Sequence, residues 1–130
     1  MLDPSQFKEN EAWVAFQLNE EPIHTEQDGN FNCVALMDAA SGFIFSTTFV
    51  PVTEQEPSAL DLRRLFKTSL DRSNGSPATL FTAKGQFQVA LPAEATRLGI
   101  TVVPVHETDL LAFTGEARQG FREHVQGRVA

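Results

Sequence analysis

The sequence predicts a single α/β domain built on a mixed five-stranded sheet with helices packed on it. The first half of the chain carries apolar, β-branched and aromatic runs separated by turn residues, which are typical of strands. In the second half, apolar residues at helical spacing alternate with short strand-like runs. The resulting order is β-β-β-α-β-α-β-α, and a chain of 130 residues has the size of one ordinary domain. We therefore expect residues 1–130 to form one unit.

The three strands of the first half are expected at residues 12–18, 31–37 and 43–50, where apolar residues dominate. In the first strand, alternation places Trp13 and Ala15 on one face and Val14 and Phe16 on the other. Residues 20–30, which include an Asp-Gly-Asn turn signal, are expected to be a polar connection.

A tight turn from Asp38 to Gly42 is predicted to join the second and third strands as an antiparallel hairpin. The Asp38 carboxylate can accept hydrogen bonds from the following amides, and Gly42 can adopt a positive φ. Regular alternation in the third strand predicts one face made of Phe43, Phe45, Thr47 and Phe49, and an opposite face made of Ile44, Ser46, Thr48 and Val50.

The first long helix is predicted to begin after Ser58, which can cap its free amides, with Asp61 at the third position of a capping box. Its inward positions are Leu62, Leu65, Phe66 and Leu70, and residues 73–77 end it. A short strand is expected at residues 78–83.

Residues 86–98 allow two interpretations. Phe87, Leu91, Ala95 and Leu98 fit one helical face that ends at Gly99. Pro92 weakens that helix, because an interior proline costs about 3 kcal/mol, and a hairpin about Lys84-Gly85 is the competing interpretation. A strand at 100–105 and a last helix capped by Thr108 complete the order, with the inward residues Leu110, Phe113, Ala117, Phe121 and Val125.

The charge of the chain argues against general binding to nucleic acids or anionic membranes. Seventeen acidic residues outnumber ten basic ones, which gives a net charge of −7. Residues 1–60 hold ten acids and one base, whereas residues 61–130 hold seven acids and nine bases. The longest apolar run is far shorter than the roughly 20 residues that span a bilayer, and no signal peptide is evident. We expect a soluble, cytoplasmic protein.

Common catalytic and cofactor motifs are missing from the sequence. It contains no GxSxG, Walker A, GxGxxG, CxxC or HxxxH pattern, and we expect no cofactor and no zinc. The single cysteine, Cys33, lies in an apolar strand and is predicted to be a packed structural residue.

Several short segments, taken in order, resemble the ribonuclease H-like cores of integrases and transposases. Trp13-Val-Ala-Phe16 resembles the Trp-x-x-Asp that opens integrase cores, and Asp38-Ala-Ala-Ser41 is similar to the Asp-x-x-Ser of their hairpin. Thr82-Ala-Lys-Gly-Gln-Phe87 is similar to their Thr-Asp-x-Gly-x-x-Phe, one residue short. Leu98-Gly-Ile100 is similar to the Leu-Gly-Ile that enters their last strand, and Glu116 lies roughly where the third acid is expected. The resemblance covers about residues 12–125 and implies a ribonuclease H-like fold.

The same resemblance implies that the catalytic acids of the family are missing. Two metal ions about 4 Å apart carry its chemistry, and carboxylates hold them. Phe16 and Ala83 occupy the first two acid positions and cannot bind Mg²⁺, which prefers oxygen ligands. The resemblance therefore predicts a domain without nuclease or strand-transfer activity, similar to degenerate bacterial domains of unknown function.

Three functions remain open from the sequence. The first is a non-catalytic interaction or scaffold domain of a bacterial protein, with a protein partner or a second copy of the chain. The second is a small enzyme or ligand-binding protein that uses the strand ends near Lys84 and His106. The third is a nucleic-acid-associated domain using Arg63, Arg64, Lys67, Arg118 and Arg122. The candidate binding residues are Asp38, Lys84, His106 and Glu116.

Overall fold

A computed structural model describes residues 2–129 of the chain, with the side chains of residues 2–124. A short 3₁₀ turn, Pro4–Gln6, precedes the first strand. The strands are β1 (Ala12–Gln17), β2 (Ile23–Thr25), β3 (Gly29–Asp38), β4 (Ile44–Pro51), β5 (Thr79–Ala83) and β6 (Thr101–Val105). The helices are α1 (Ala59–Arg72), α2 (Ala90–Arg97) and α3 (Glu107–Val129).

The main strands form one mixed sheet in the order β4-β3-β1-β5-β6. β3 is antiparallel to both β1 and β4, while β1, β5 and β6 run parallel to one another. These are the five predicted strands, and the antiparallel meander of the first half is confirmed. The predicted order of the three helices is confirmed as well, because a helix follows β4, β5 and β6 in turn.

The polar connection at residues 20–30 is not wholly irregular, so the expectation of a five-stranded sheet is wrong by one strand. Its Ile23–Thr25 segment forms β2, which pairs antiparallel with the start of β3. Gly29 adopts a φ of +83°, which lets the chain turn back sharply from β2 into β3. Three residues are too few to show the alternation by which a strand is recognised in a sequence.

Helices cover both faces of the sheet and create two apolar clusters. Trp13 and Ala15 of β1 point into the cluster beneath α1 and α2, whose helical members include Leu62, Phe66 and Leu91. Val14 and Phe16 point the other way, into the cluster beneath α3. The predicted alternation of β1 is therefore confirmed. Within residues 2–129, no helix is both long and apolar enough to cross a membrane.

The predicted alternation of the third strand fails at a β-bulge. Met37 pairs with Ile44, but its neighbour Leu36 pairs with Ser46, so Phe45 is an extra residue in β4. The bulge turns Phe45 onto the same face as Ser46 and Val50, where its ring lies 4.9 Å from that of Trp13. Thr47 and Phe49 stay on the α3 face, together with Ile44.

The helix ends agree with the sequence prediction at α1 and depart from it at α2 and α3. Asp61 N donates to Ser58 Oγ over 3.1 Å, so the predicted Ser58 cap is present. Among the described residues, the Asp61 carboxylate does not bond back to the Ser58 amide, so the capping box is incomplete. α2 begins only at Ala90, after Phe87 with a φ of +51°, so neither a helix over 86–98 nor a hairpin about Lys84-Gly85 is present. Pro92 lies in the first turn of α2, where a missing N–H breaks no helical bond. The prediction that Thr108 caps the last helix is wrong, because α3 begins at Glu107 and Thr108 lies inside it.

The predicted inward face of α3 is confirmed over four of its positions. Leu110, Phe113, Ala117 and Phe121 all pack into the cluster on that face of the sheet. The fifth inward position, Val125, lies outside the residues whose side chains are described.

Candidate functional site

The carboxyl ends of β1 and β5 are adjacent in the sheet and carry Phe16 and Ala83. The two strands are parallel, with a register that runs from Ala12 opposite Thr79 to Val14 opposite Phe81. Phe16 and Ala83 each follow this paired stretch by two residues, and both are buried in the cluster beneath α3. The position where the family resemblance requires two carboxylates is therefore an apolar surface.

Arg118 of α3 lies directly on this surface. Its guanidinium carbon is 5.7 Å from the centre of the Phe16 ring, which is cation–π distance. Its Nε donates to the carbonyl oxygen of Gln17 over 3.0 Å, and an Nη is 3.9 Å from the Glu107 carboxylate. The side chain is only 17% exposed. A fixed positive charge thus stands where the resemblance places metal ions.

Glu116, the candidate third acid, is exposed on α3 two residues before Arg118. No group of three His, Cys, Asp or Glu side chains in the part of the chain that the structure describes is arranged to hold a metal ion. Residues two positions apart on a helix do not face each other, so Glu116 does not lie beside Arg118. A single exposed carboxylate supplies too few oxygen ligands for the octahedral sphere of Mg²⁺.

Lys84 and His106 come together at the ends of β5 and β6, as the parallel pairing predicts. The Lys84 amide donates to the carbonyl oxygen of Val105 over 2.7 Å, and both candidate side chains are exposed. An open groove of about 300 Å³ lies beside Lys84, lined by Thr82, Gln86, Phe87, Gln88, Pro92, Val102 and Pro104. His106 does not line it.

Asp38 lies at the opposite end of the sheet and shapes the hairpin turn. It is 2% exposed and accepts bonds from the Asn10 amide at 2.7 Å, the Ser41 amide at 2.9 Å and Ser41 Oγ at 2.6 Å. Gly42 has a φ of +76°, as the turn chemistry predicts. The four candidate residues therefore do not form one site.

Asn10 connects three segments, a role that no motif in the sequence predicts. Its backbone φ is +64°, and its backbone N–H donates to Asp38. Its side-chain Oδ1 accepts from Trp13 Nε1, and its Nδ2 donates to the carbonyl oxygen of Gly75, each over 2.7 Å. Only the tolerance of asparagine for positive φ hinted at such a role.

The five bases proposed for nucleic-acid contact lie on opposite faces of the sheet. Arg63, Arg64 and Lys67 are on α1, whereas Arg118 and Arg122 are on α3. Arg63 is 3.8 Å from Glu94, and Arg122 is 3.7 Å from Glu20. The bases therefore form no single positive surface.

Cys33 is buried in β3, as the sequence predicts for a structural cysteine. Loss of hydration on burial raises the pKa of its thiol, which disfavours the reactive thiolate.

Comparison with known proteins identifies the fold. No family model matches the chain, and no curated protein matches its sequence. The catalytic core domain of BIV integrase matches with a TM-score of 0.59 and 13% identity, over 91% of this chain and 70% of that chain. The magnesium complex of the HTLV-2 integrase catalytic core domain, in its trimeric form, matches with a TM-score of 0.56 and 10% identity, over 92% and 71%.

A third match is a chain of the simian T-cell lymphotropic virus intasome in complex with the PP2A regulatory subunit B56 gamma. Its TM-score is 0.56 at 11% identity, and the match covers 85% of this chain but only 37% of that chain. The chain thus has the ribonuclease H-like fold of integrase catalytic cores, as the local resemblances imply. At these identities the likeness concerns the fold alone.

Proposed function

We propose that this chain is a non-catalytic protein-interaction module of a cytoplasmic bacterial protein, built on an integrase-core-like fold. The observation that carries the proposal is the replacement of the acidic centre by Phe16, Ala83 and the overlying Arg118. A nuclease of this fold needs carboxylates to hold two cations and activate water. An arginine bonded to the Gln17 carbonyl repels cations from the same position.

A cleavage assay tests the absence of metal-dependent nuclease activity. The purified chain is incubated with Mg²⁺ or Mn²⁺ and labelled duplex DNA or RNA–DNA hybrid, beside a buffer control. We expect no cleavage above that control. Cleavage that is abolished by Glu116→Gln but retained by the matched Glu123→Gln, on the same helix, would overturn the proposal. Cleavage retained by both variants also overturns the proposal if it co-elutes with the chain, because other carboxylates then carry the activity.

The nucleic-acid alternative is disfavoured by the placement of the bases on opposite faces and by the net charge of −7. Phosphate contacts release counterions, so genuine binding weakens steeply as salt rises. We expect fluorescence anisotropy with labelled oligonucleotides to detect no salt-dependent binding at micromolar protein.

A protein contact is supported by the large exposed apolar side chains at β4. Phe43 and Phe49 are 56% and 54% exposed, and Val52, just after the strand, is 41% exposed. Aromatic residues such as these two phenylalanines are enriched at the centres of protein interfaces. Light scattering after size exclusion separates the two kinds of partner, since a second copy doubles the mass of 14.3 kDa and a different protein leaves it unchanged.

A further inference from the structure

We propose that the free edge of β4 and the flank of α1 above it bind an extended segment of another protein as an added strand, with an acidic side chain against Arg64. This inference rests on the proposed function, and it names the surface and the chemistry of the partner. The surface, here called the edge groove, has a volume of about 450 Å³. It is lined by Ile44, Ser46, Thr47, Thr48, Asp61, Arg64, Leu65, Thr68 and Arg72.

The backbone of β4 directs unused hydrogen-bonding groups into this groove. The Val52 amide donates to the carbonyl oxygen of Asn30 in the β3 hairpin over 3.1 Å. In an antiparallel pair alternate residues bond to the partner strand, so Val50 and Thr48 also point their backbone groups toward β3. The N–H and C=O groups of Thr47 and Phe49 therefore point outward. Within the described residues, no strand other than β3 pairs with β4.

Between its bulge and its proline, β4 leaves this edge unprotected. Natural edge strands are usually blocked by charged residues, prolines or bulges. Residues 44–50 of β4 hold no charge and no proline, and six of the seven are β-branched or aromatic. The bulge at Phe45 and the proline at position 51 are both features of this kind, and they limit the open stretch to residues 46–50.

The charge of the groove selects an acidic partner. Arg64 is exposed, and among the side chains that the structure describes it forms no ion pair. Arg72, further along the same flank, donates to the carbonyl oxygen of Phe45, and Asp61 is the one acidic residue in the lining. A strand that lies beside β4 runs beneath this flank of α1. A carboxylate on that strand can therefore pair with Arg64.

A second copy of the chain fits the groove poorly, because α1 lies above β4. Ser46 Oγ donates to the Leu65 carbonyl oxygen and contacts Ser69 Oγ, each over 2.9 Å. Two paired β4 strands would stand about 4.8 Å apart, whereas packed helices need about 8–10 Å between their axes. The two α1 helices would thus collide, while a single extended segment brings no helix with it.

A peptide-display experiment on the intact chain tests this inference. A random twelve-residue library is selected on the purified protein, and the affinities of synthetic copies of the enriched peptides are measured by fluorescence anisotropy. We expect the enriched sequences to alternate β-branched or aromatic residues with polar ones and to contain Asp or Glu at one fixed position.

Three variants locate the binding surface. Thr47→Pro removes one outward N–H without touching the β3 ladder and is expected to weaken binding about tenfold. Arg64→Glu should weaken it by a similar factor of about ten, and a peptide with lysine in place of its acid should recover affinity for that variant. Lys67→Glu makes the same charge change on the flank of α1 that faces α2. This control should bind the peptide with an affinity within about twofold of that of the wild type.

Measurements on the wild-type chain keep the inference testable even if Thr47→Pro fails to fold. Amide hydrogen exchange at Thr47 and Phe49 should be fast in the free chain and slow with peptide bound, whereas Thr48 should be protected in both states. N-methylation of the peptide should block binding at alternate positions only.

The inference is overturned if no peptide is enriched, if the enriched peptides leave Thr47 and Phe49 exchange unchanged, or if Arg64→Glu and Lys67→Glu behave alike. It is also overturned if light scattering finds a dimer that Thr47→Pro dissociates. The cleavage assay does not depend on the edge groove, so the proposed function fails or survives separately.

Discussion

Replacement of Glu56 by alanine is expected to destabilise the fold by about 2 kcal/mol, although Glu56 lies in the loop before α1. The N-terminus of α2 has no capping side chain of its own, since Val89 occupies the N-cap position. The Glu56 carboxylate supplies the cap instead. It accepts from the Val89 amide over 3.0 Å and from the Leu91 amide over 2.9 Å.

The magnitude follows from these two bonds. Loss of an ordinary cap costs about 0.5–2 kcal/mol, and hydrogen bonds to a charged acceptor lie near the upper end of the usual range. After the substitution, water partly hydrates the Val89 and Leu91 amides, so the expected loss of unfolding free energy is about 2 kcal/mol. Glu56→Gln keeps one oxygen and loses the charge, so its effect should be about 1 kcal/mol. Urea unfolding measures the stability loss of both variants. Glu56→Ala should lower the urea midpoint by about 1 M and leave the dependence of the unfolding free energy on urea unchanged.

Glu54→Ala is the matched control, because Glu54 is exposed in the same loop and should change stability by less than about 0.5 kcal/mol. If Glu56→Ala is no more destabilising than this control, the carboxylate does not cap α2. The bridging role assigned to the loop is then refuted.

Three further outcomes are expected. The hydrogen bond from Arg97 holds the pKa of Glu94 below its ordinary 4.5, so charged Glu94 stabilises the fold above that pH. This contribution is lost as pH falls through the lowered pKa, and urea midpoints of wild type and Glu94→Gln should converge there. Urea unfolding should show that Asn10→Ala lowers the free energy of unfolding by about 2–3 kcal/mol, because the side-chain hydrogen bonds are lost and alanine is strained at a positive φ. Asn10→Gly loses the same bonds without the strain, so its effect should be about 1 kcal/mol smaller. Because Cys33 is only 2% exposed and burial also raises the pKa of its thiol, a disulfide reagent monitored by absorbance should modify the native chain only as fast as it unfolds.

Features governed by neighbouring residues were predictable from the sequence. The turn at Asp38 and the Ser58 cap involve partners three or four residues away, so the sequence contains both halves of each interaction. The alternation of β1 was also predictable, because both of its faces are buried against helices and each position has a fixed side.

Features that depend on distant partners were not predictable. The Glu56 cap joins residues 33 and 35 positions apart, and no local pattern marks it. The bulge in β4 is set by its pairing with β3, and one extra residue reverses the side on which Phe45 and Ile44 lie. At the candidate site, the family resemblance located Phe16 and Ala83. It did not reveal that Arg118 contacts the Phe16 ring, because these two residues are far apart in the sequence.

The bond between Arg118 and the Gln17 carbonyl also constrains the order in which the molecule can assemble. Its partners are 101 residues apart, and α3 is the last element of the domain to leave the ribosome. Until then, the apolar side chains that α3 covers on β1 and β5 face water. A nascent chain therefore exposes an apolar sheet face until α3 has been synthesised, and chaperones can bind this face during that interval.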